Sequence, residues 1–180
     1  MGNNNNSHIN TSLAISSVHK IKELQKKYID LRNIVLIIKK VLAKHDLHKP
    51  YSGGLGSYSI VLMTSTFLEK FGINHCSALS QNLTEFLKFF GYHFDPSTAG
   101  MDGKSFFALT PEQRDRNDHI YILDLQNSSN NTARSAFKIY EIKNVFTQAY
   151  NTVMQKLATF RSETDQHRRM QINVIDELIH

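Results

Sequence analysis

Ile38-Lys-Lys-Val-Leu-Ala-Lys-His-Asp-Leu-His-Lys-Pro-Tyr-Ser-Gly-Gly-Leu-Gly-Ser-Tyr-Ser-Ile-Val-Leu-Met63 holds the end of one helix, a glycine-rich turn and the start of another. Upstream, Leu31, Ile34, Val35, Ile38, Val41 and Leu42 make an almost all-round apolar stretch, which predicts a helix buried at a domain centre. Lys39, Lys40 and Lys44 lie toward its C-terminal end, where positive charge suits the helix dipole. Pro50 stops that helix, and the glycines after it permit backbone shapes closed to other residues. Ser57 is the expected N-cap of a helix over Tyr58 to Phe71, with Val61, Leu62, Ser65 and Leu68 on one face.

Working outward, Val18, Ile21, Leu24 and Tyr28 recur at spacings of three and four between lysines, predicting an amphipathic helix over about residues 14 to 28. Leu79, Leu83, Phe86, Leu87 and Phe90 predict another over about 78 to 90. After Gly91 the helical period stops. Tyr92 to Pro96, Lys104 to Leu109 and His119 to Asp124 read as short strands, a small β patch at about residues 92 to 124. A polar loop over 126 to 135 precedes a helix over 137 to 160, and a charged helix is expected over 163 to 179. The fold class is mainly α, a helical bundle with that small β patch, and internal repeats are absent from the sequence.

At 180 residues and 20.7 kDa there is room for one core, and 41% hydrophobic with 21% charged residues excludes wholesale disorder. A formal charge of +5 and a pI near 9.3 suit a polyanionic partner, although Lys20, Lys22, Lys26 and Lys27 read more simply as a solvated helix face. The apolar run Ile34 to Ile38 falls far short of the ~20 residues of a membrane span. Cys76 is the single cysteine, so no intrachain disulfide forms and structural zinc is not expected. Residues 1 to 12 lack the basic and apolar regions of a signal peptide and read as a disordered tail or expression remnant, and an intracellular setting, nucleus or cytoplasm, is expected.

A second segment, Ile122-Leu-Asp-Leu-Gln-Asn-Ser-Ser-Asn-Asn-Thr-Ala-Arg-Ser-Ala-Phe137, follows the first by about sixty residues. Together, in this order, they resemble the central and poly(A)-polymerase-associated region of template-independent poly(A) and poly(U) RNA polymerases, of the DNA polymerase beta nucleotidyltransferase superfamily. The likeness covers about residues 13 to 160. It implies that this helical domain, 13 to 180, is one wall of a cleft whose other wall is a separate catalytic domain. Lys39 would contact the triphosphate, Ser57 would bond a phosphate oxygen, and Tyr58 would stack on the base. Asp124 to Arg134 would be the nucleotide recognition loop, with Asn130 reading the base and tipping the choice toward adenine. Lys44 and Arg134 would contact phosphate or RNA. Lysine, tyrosine and a side-chain amide are chemically apt for these tasks. Departures from the family pattern are Asp124-Leu125 in place of Asp-Pro, Asn127 in place of an acid, Ala43 in place of a second phosphate lysine, and Leu13 near an expected ribose-contacting asparagine.

Two-metal nucleotidyl transfer needs carboxylates holding paired magnesium ions about 3.5 to 4 Å apart. In this superfamily they follow a Gly-Ser as an Asp-x-Asp or Asp-x-Glu on the next strand. Gly56-Ser57 is followed by the helical Phe67-Leu-Glu-Lys instead, and Asp115-Arg-Asn-Asp118 has the wrong spacing, so no metal site and no catalytic residue is expected in this chain. The expectation is a nucleotide- and RNA-binding domain of an ATP-preferring polymerase that adds 3′ poly(A) to RNA. Magnesium and ATP would serve the complete enzyme, and a catalytic domain would be supplied in cis or trans. The competing reading is a degenerate homologue working as a protein-interaction scaffold without nucleotide.

Overall fold

A computed structural model of the chain describes residues 18–72, 79–114, 119–162 and 178–179. Residues 18–27 form helix α1, followed by α2 (Leu31–Lys44) and a short 3-10 turn (Pro50–Ser52). Next come α3 (Ser57–Phe71) and α4 (Leu79–Lys88), the latter running into a π turn (Phe89–His93). Strands β1 (Ala99–Met101) and β2 (Phe106–Ala108), a one-turn α5 (Pro111–Arg114) and the long α6 (Ile139–Ser162) complete the order. The fold is mainly helical with a small antiparallel sheet, as the sequence predicts. The expected tail at 1–12, the first residues of the 14–28 helix and most of the 163–179 helix lie outside the described residues.

The central helix is α3, not α2. Every residue from Ser59 to Leu68 is buried, whereas α2 buries only the face carrying Leu31, Ile34, Val35, Ile38, Val41 and Leu42 and leaves Leu36 48% exposed. Counting apolar residues misleads because α3 holds Thr64, Ser65 and Thr66, whose hydroxyls find partners inside the fold. Thr64 donates to the Ile60 carbonyl at 2.8 Å and Thr66 to that of Leu62 at 2.9 Å, which makes burying them tolerable. Ser65 donates to the Gly103 carbonyl at 2.8 Å, and the Gly103 N–H donates to Thr66 at 2.8 Å. These bonds fasten the β1–β2 turn to the helix.

Phenylalanines fill the space between elements. Phe67 of α3 meets Phe86 edge-on at 5.5 Å and Phe90 at 6.2 Å, and Phe86 meets Phe146 of α6 at 5.8 Å. Phe89 brings in Phe106 of β2 at 5.2 Å. The turn before α2 is tied to α4 by a buried hydrogen bond from Asn82 to Asp30 at 2.8 Å.

The β patch is smaller than predicted. Tyr92 and His93 belong to the π turn that extends α4, where the Lys143 ammonium of α6 donates to the Phe94 carbonyl. Burial holds that lysine below its ordinary pKa, with Asp95 acting in the opposite direction. Strand pairing joins Ala99 to Ala108 and Met101 to Phe106, and Ile122 bridges Met101 in parallel, so the 119–124 segment does lie against the sheet. Replacing Phe67 by Ala is expected to cost about 3 to 5 kcal/mol in urea unfolding, against less than about 1 kcal/mol for Leu36→Ala. Equal costs would contradict the assignment of α3 as the centre.

Candidate nucleotide-binding site

The site gathers where the N-terminus of α3 meets the loop of residues 120–135. Its approach is shaped by the glycines of the first quoted segment. Gly53 has φ of +87°, a left-handed conformation that glycine adopts without strain. At Gly54 an added Cβ would collide with the Leu47 backbone, so only a bare backbone fits. The Leu55 N–H closes this crossing on the Leu47 carbonyl at 2.9 Å. The N-cap of α3 is Gly56 rather than Ser57, and no side chain caps the helix. Ser57 is the first helical residue, exposed at an end that carries partial positive charge and leaves its first N–H groups without intrahelical acceptors.

Tyr58, Asp124 and Asn130 come together, though 66 residues separate the first two. The Tyr58 hydroxyl donates to Asp124 Oδ1 at 3.2 Å, and the Gln126 N–H donates to the same oxygen at 2.9 Å. The Asn130 amide donates to Asp124 Oδ2 at 3.5 Å, the outer limit of a hydrogen bond, while the Asp124 N–H donates to the Asn130 carbonyl at 3.0 Å. Asn130 and Arg134 are exposed, Tyr58 and Asp124 half-buried. Lys39, half-buried, and Lys44, exposed, sit on α2. The structure does not join Lys39 by a hydrogen bond to Tyr58, Asp124 or Asn130.

Three supporting residues escaped the sequence reading. Asn131 accepts from the Ile122 N–H at 3.0 Å and the Ala133 N–H at 3.1 Å, and donates to the Ile120 carbonyl at 2.8 Å. That side chain replaces a strand partner for the loop. Ser59 donates to the Thr132 carbonyl at 3.0 Å and lies 3.1 Å from its hydroxyl, while Thr132 Oγ1 donates to the Ile122 carbonyl at 2.9 Å. The only available signals were the Asn130-Asn131 doublet and a serine directly after Tyr58; neither reveals its partner without the fold.

Beside Asp124, a cleft of about 260 Å³ is lined by Asp102, Lys104, Phe107, Gln126 and Ser128, but not by Tyr58 or Asn130. Among the described residues no three His, Cys, Asp or Glu side chains are grouped to hold a metal ion. Residues 115–118, where the Asp115 to Asp118 segment falls, lie outside that set. No helix among the described residues is long and apolar enough to cross a membrane.

A tyrosine at the start of α3 is thus braced by an acid from a distal, asparagine-bearing loop. No protein-family model matches the chain. It is 25% identical over 178 residues to poly(A) RNA polymerase CID14 of Cryptococcus neoformans, covering 89% of this chain and 23% of that protein. It is 29% identical over 87 residues, 45% of this chain and 21% of the relative, to an inactive poly(A) RNA polymerase protein, Trf4-2 of Drosophila melanogaster. A solved structure of the polymerase core of TRAMP, an RNA surveillance complex, superposes with a TM-score of 0.80 at 25% identity, over 91% of this chain and 55% of the solved one. The chain is thus similar in sequence to poly(A) RNA polymerases and shares the helical fold of that polymerase core. It spans about a quarter of the length of these curated relatives.

Gly54→Ala is expected to lower stability by more than about 1 kcal/mol, because the backbone itself must move. Gly56→Ala should cost less, up to about 1 kcal/mol, because its Cβ meets only the Pro50 ring at 3.1 Å and alanine is a poorer N-cap than glycine. Thermal unfolding of the two variants checks the contrast.

Proposed function

We propose that this chain is the nucleotide- and RNA-binding helical domain, over residues 13–180, of an ATP-preferring terminal nucleotidyltransferase that adds adenylates to RNA 3′ ends inside the cell. The observation that carries the reading is the convergence of Tyr58, Asp124 and Asn130 beside the exposed start of α3. The hydroxyl bond to Asp124 restrains the Tyr58 ring, so a base stacking on it meets a surface already oriented. The Asn130 amide offers a donor and an acceptor, a match for the ring nitrogen and amino group of adenine. Ser57 and the N-terminus of α3 suit a phosphate, and Lys39 and Lys44 supply positive charge from α2. The paired magnesium ions would be held by a catalytic domain acting in cis or trans.

A second reading, a scaffold that has lost its nucleotide, is favoured by the inactive relative and by Ala43, which leaves no charge where the family carries a second lysine. Titration with ATP and UTP, followed by protein-observed NMR, separates the two. The nucleotide reading predicts saturable shifts around residues 57–59 and 124–131 with ATP, weaker ones with UTP, and about tenfold or more loss of affinity in Tyr58→Ala, the scale of one stacked base. No shift with either nucleotide at millimolar concentration supports the scaffold.

A further inference from the structure

The turn ahead of α3 carries a feature that the nucleotide reading leaves unused. Tyr51, inside Pro50–Ser52, is 82% exposed, more than any other large hydrophobic side chain among the described residues. Its ring contributes to no core cluster. Two residues on, the ring of Phe137 lies against Gly53, so closely that a Cβ there would stand 2.5 to 2.8 Å from three ring carbons. The Lys138 N–H donates to the Gly53 carbonyl at 3.1 Å, which fixes the start of α6 on the turn. Phe137 remains 53% exposed. Two aromatic rings from distant parts of the chain are thereby presented around one rigid turn.

The charge around them has one dominant sign. The segments that meet at Gly53, residues 44–51 and 134–141, carry Lys44, Lys49, Arg134 and Lys138 against Asp46 and Glu141. Lys49 and Asp46 stand 3.6 Å apart at the surface, a pair that water weakens. Protein interfaces are centred on continuous apolar area, whereas Tyr51 is flanked by Pro50 and Ser52, and Phe137 by the buried Ala136 and by Lys138. Aromatic faces interleaved with cations are the pattern that holds unpaired bases and their backbone.

We infer that Tyr51 and Phe137 form a stacking platform for single-stranded RNA, with Lys138 and Lys49 along its phosphates. Pro50 packs against Gly56, so the platform adjoins Ser57 and Tyr58 and leads the strand toward them. That direction rests on the nucleotide reading; the platform itself does not.

The test is fluorescence anisotropy of the whole chain with a labelled adenylate RNA of about twelve nucleotides, at several salt concentrations. Tyr51→Ala should weaken binding about tenfold and Tyr51→Phe by less than about twofold, since stacking needs the ring and not the hydroxyl. Lys138→Ala should flatten the log–log salt dependence by about 0.7. Phe137→Leu, which keeps an apolar cover on Gly53, should weaken binding without unfolding the chain. Affinity unchanged in both Tyr51→Ala and Phe137→Leu overturns the platform, as does absence of RNA binding at low salt. Unchanged RNA affinity with loss of self-association in Tyr51→Ala would assign the turn to protein contact, equally against the proposal. Tyr51-dependent RNA binding in a chain whose Tyr58 does not respond to ATP would leave the platform standing and sink the nucleotide reading.

Discussion

Everything at the candidate site depends on how α3 holds the 120–135 loop. Ser59 bonds Thr132, and one residue earlier Tyr58 bonds Asp124, so a single turn of a buried helix fixes both sides of a loop. The constraint works because α3 has no freedom of its own. The buried hydroxyls of Thr64, Ser65 and Thr66 bond its own carbonyls and the Gly103 turn, and its Phe67 is wedged among rings from α4 and the π turn. Polar atoms in a core are costly when unpaired, so each satisfied hydroxyl adds specificity to one helix position and one rotation.

That rotation selects what the helix offers to solvent. With Ser59 and Ile60 turned inward, Ser57 is left at the exposed end and Tyr58 at the boundary. The loop supplies the complement: Asn131 turns inward to brace three backbone groups, which leaves its neighbour Asn130 outward. Adjacent asparagines thus divide the work of support and presentation. The same division recurs at the preceding turn, where Gly53 admits the Phe137 ring, Gly54 admits the Leu47 backbone and Tyr51 projects outward.

Much of this was legible in the residues. The spacing of Leu31 to Leu42 and of Ile139 to Val153 gives helices within a residue or two of those observed, because each buries one face against one core. The resemblance carried by two segments far apart in sequence implied Tyr58, Asp124 and Asn130 as one group, and hydrogen bonds join them. The centre of the bundle was not legible, since Thr64, Ser65 and Thr66 look polar until their acceptors are known. Nor was the end of α4, where Tyr92 and His93 read as strand but continue the helix in a wider turn packed on α6. Ser57 read as a cap because its type favours that position, yet Gly56 takes it. Thr132 and Asn131 carry no distinguishing signal without the fold.

The central claim is that a nucleotide base lies on Tyr58 within reach of the Asn130 loop. Intermolecular nuclear Overhauser effects between the adenine protons of bound ATP and the side chains of the protein test it most directly. The account predicts contacts from adenine H2 or H8 to the Tyr58 ring and to the Asn130 side-chain amide. Contacts to other aromatic rings, with Tyr58 silent at saturating ATP, would contradict it.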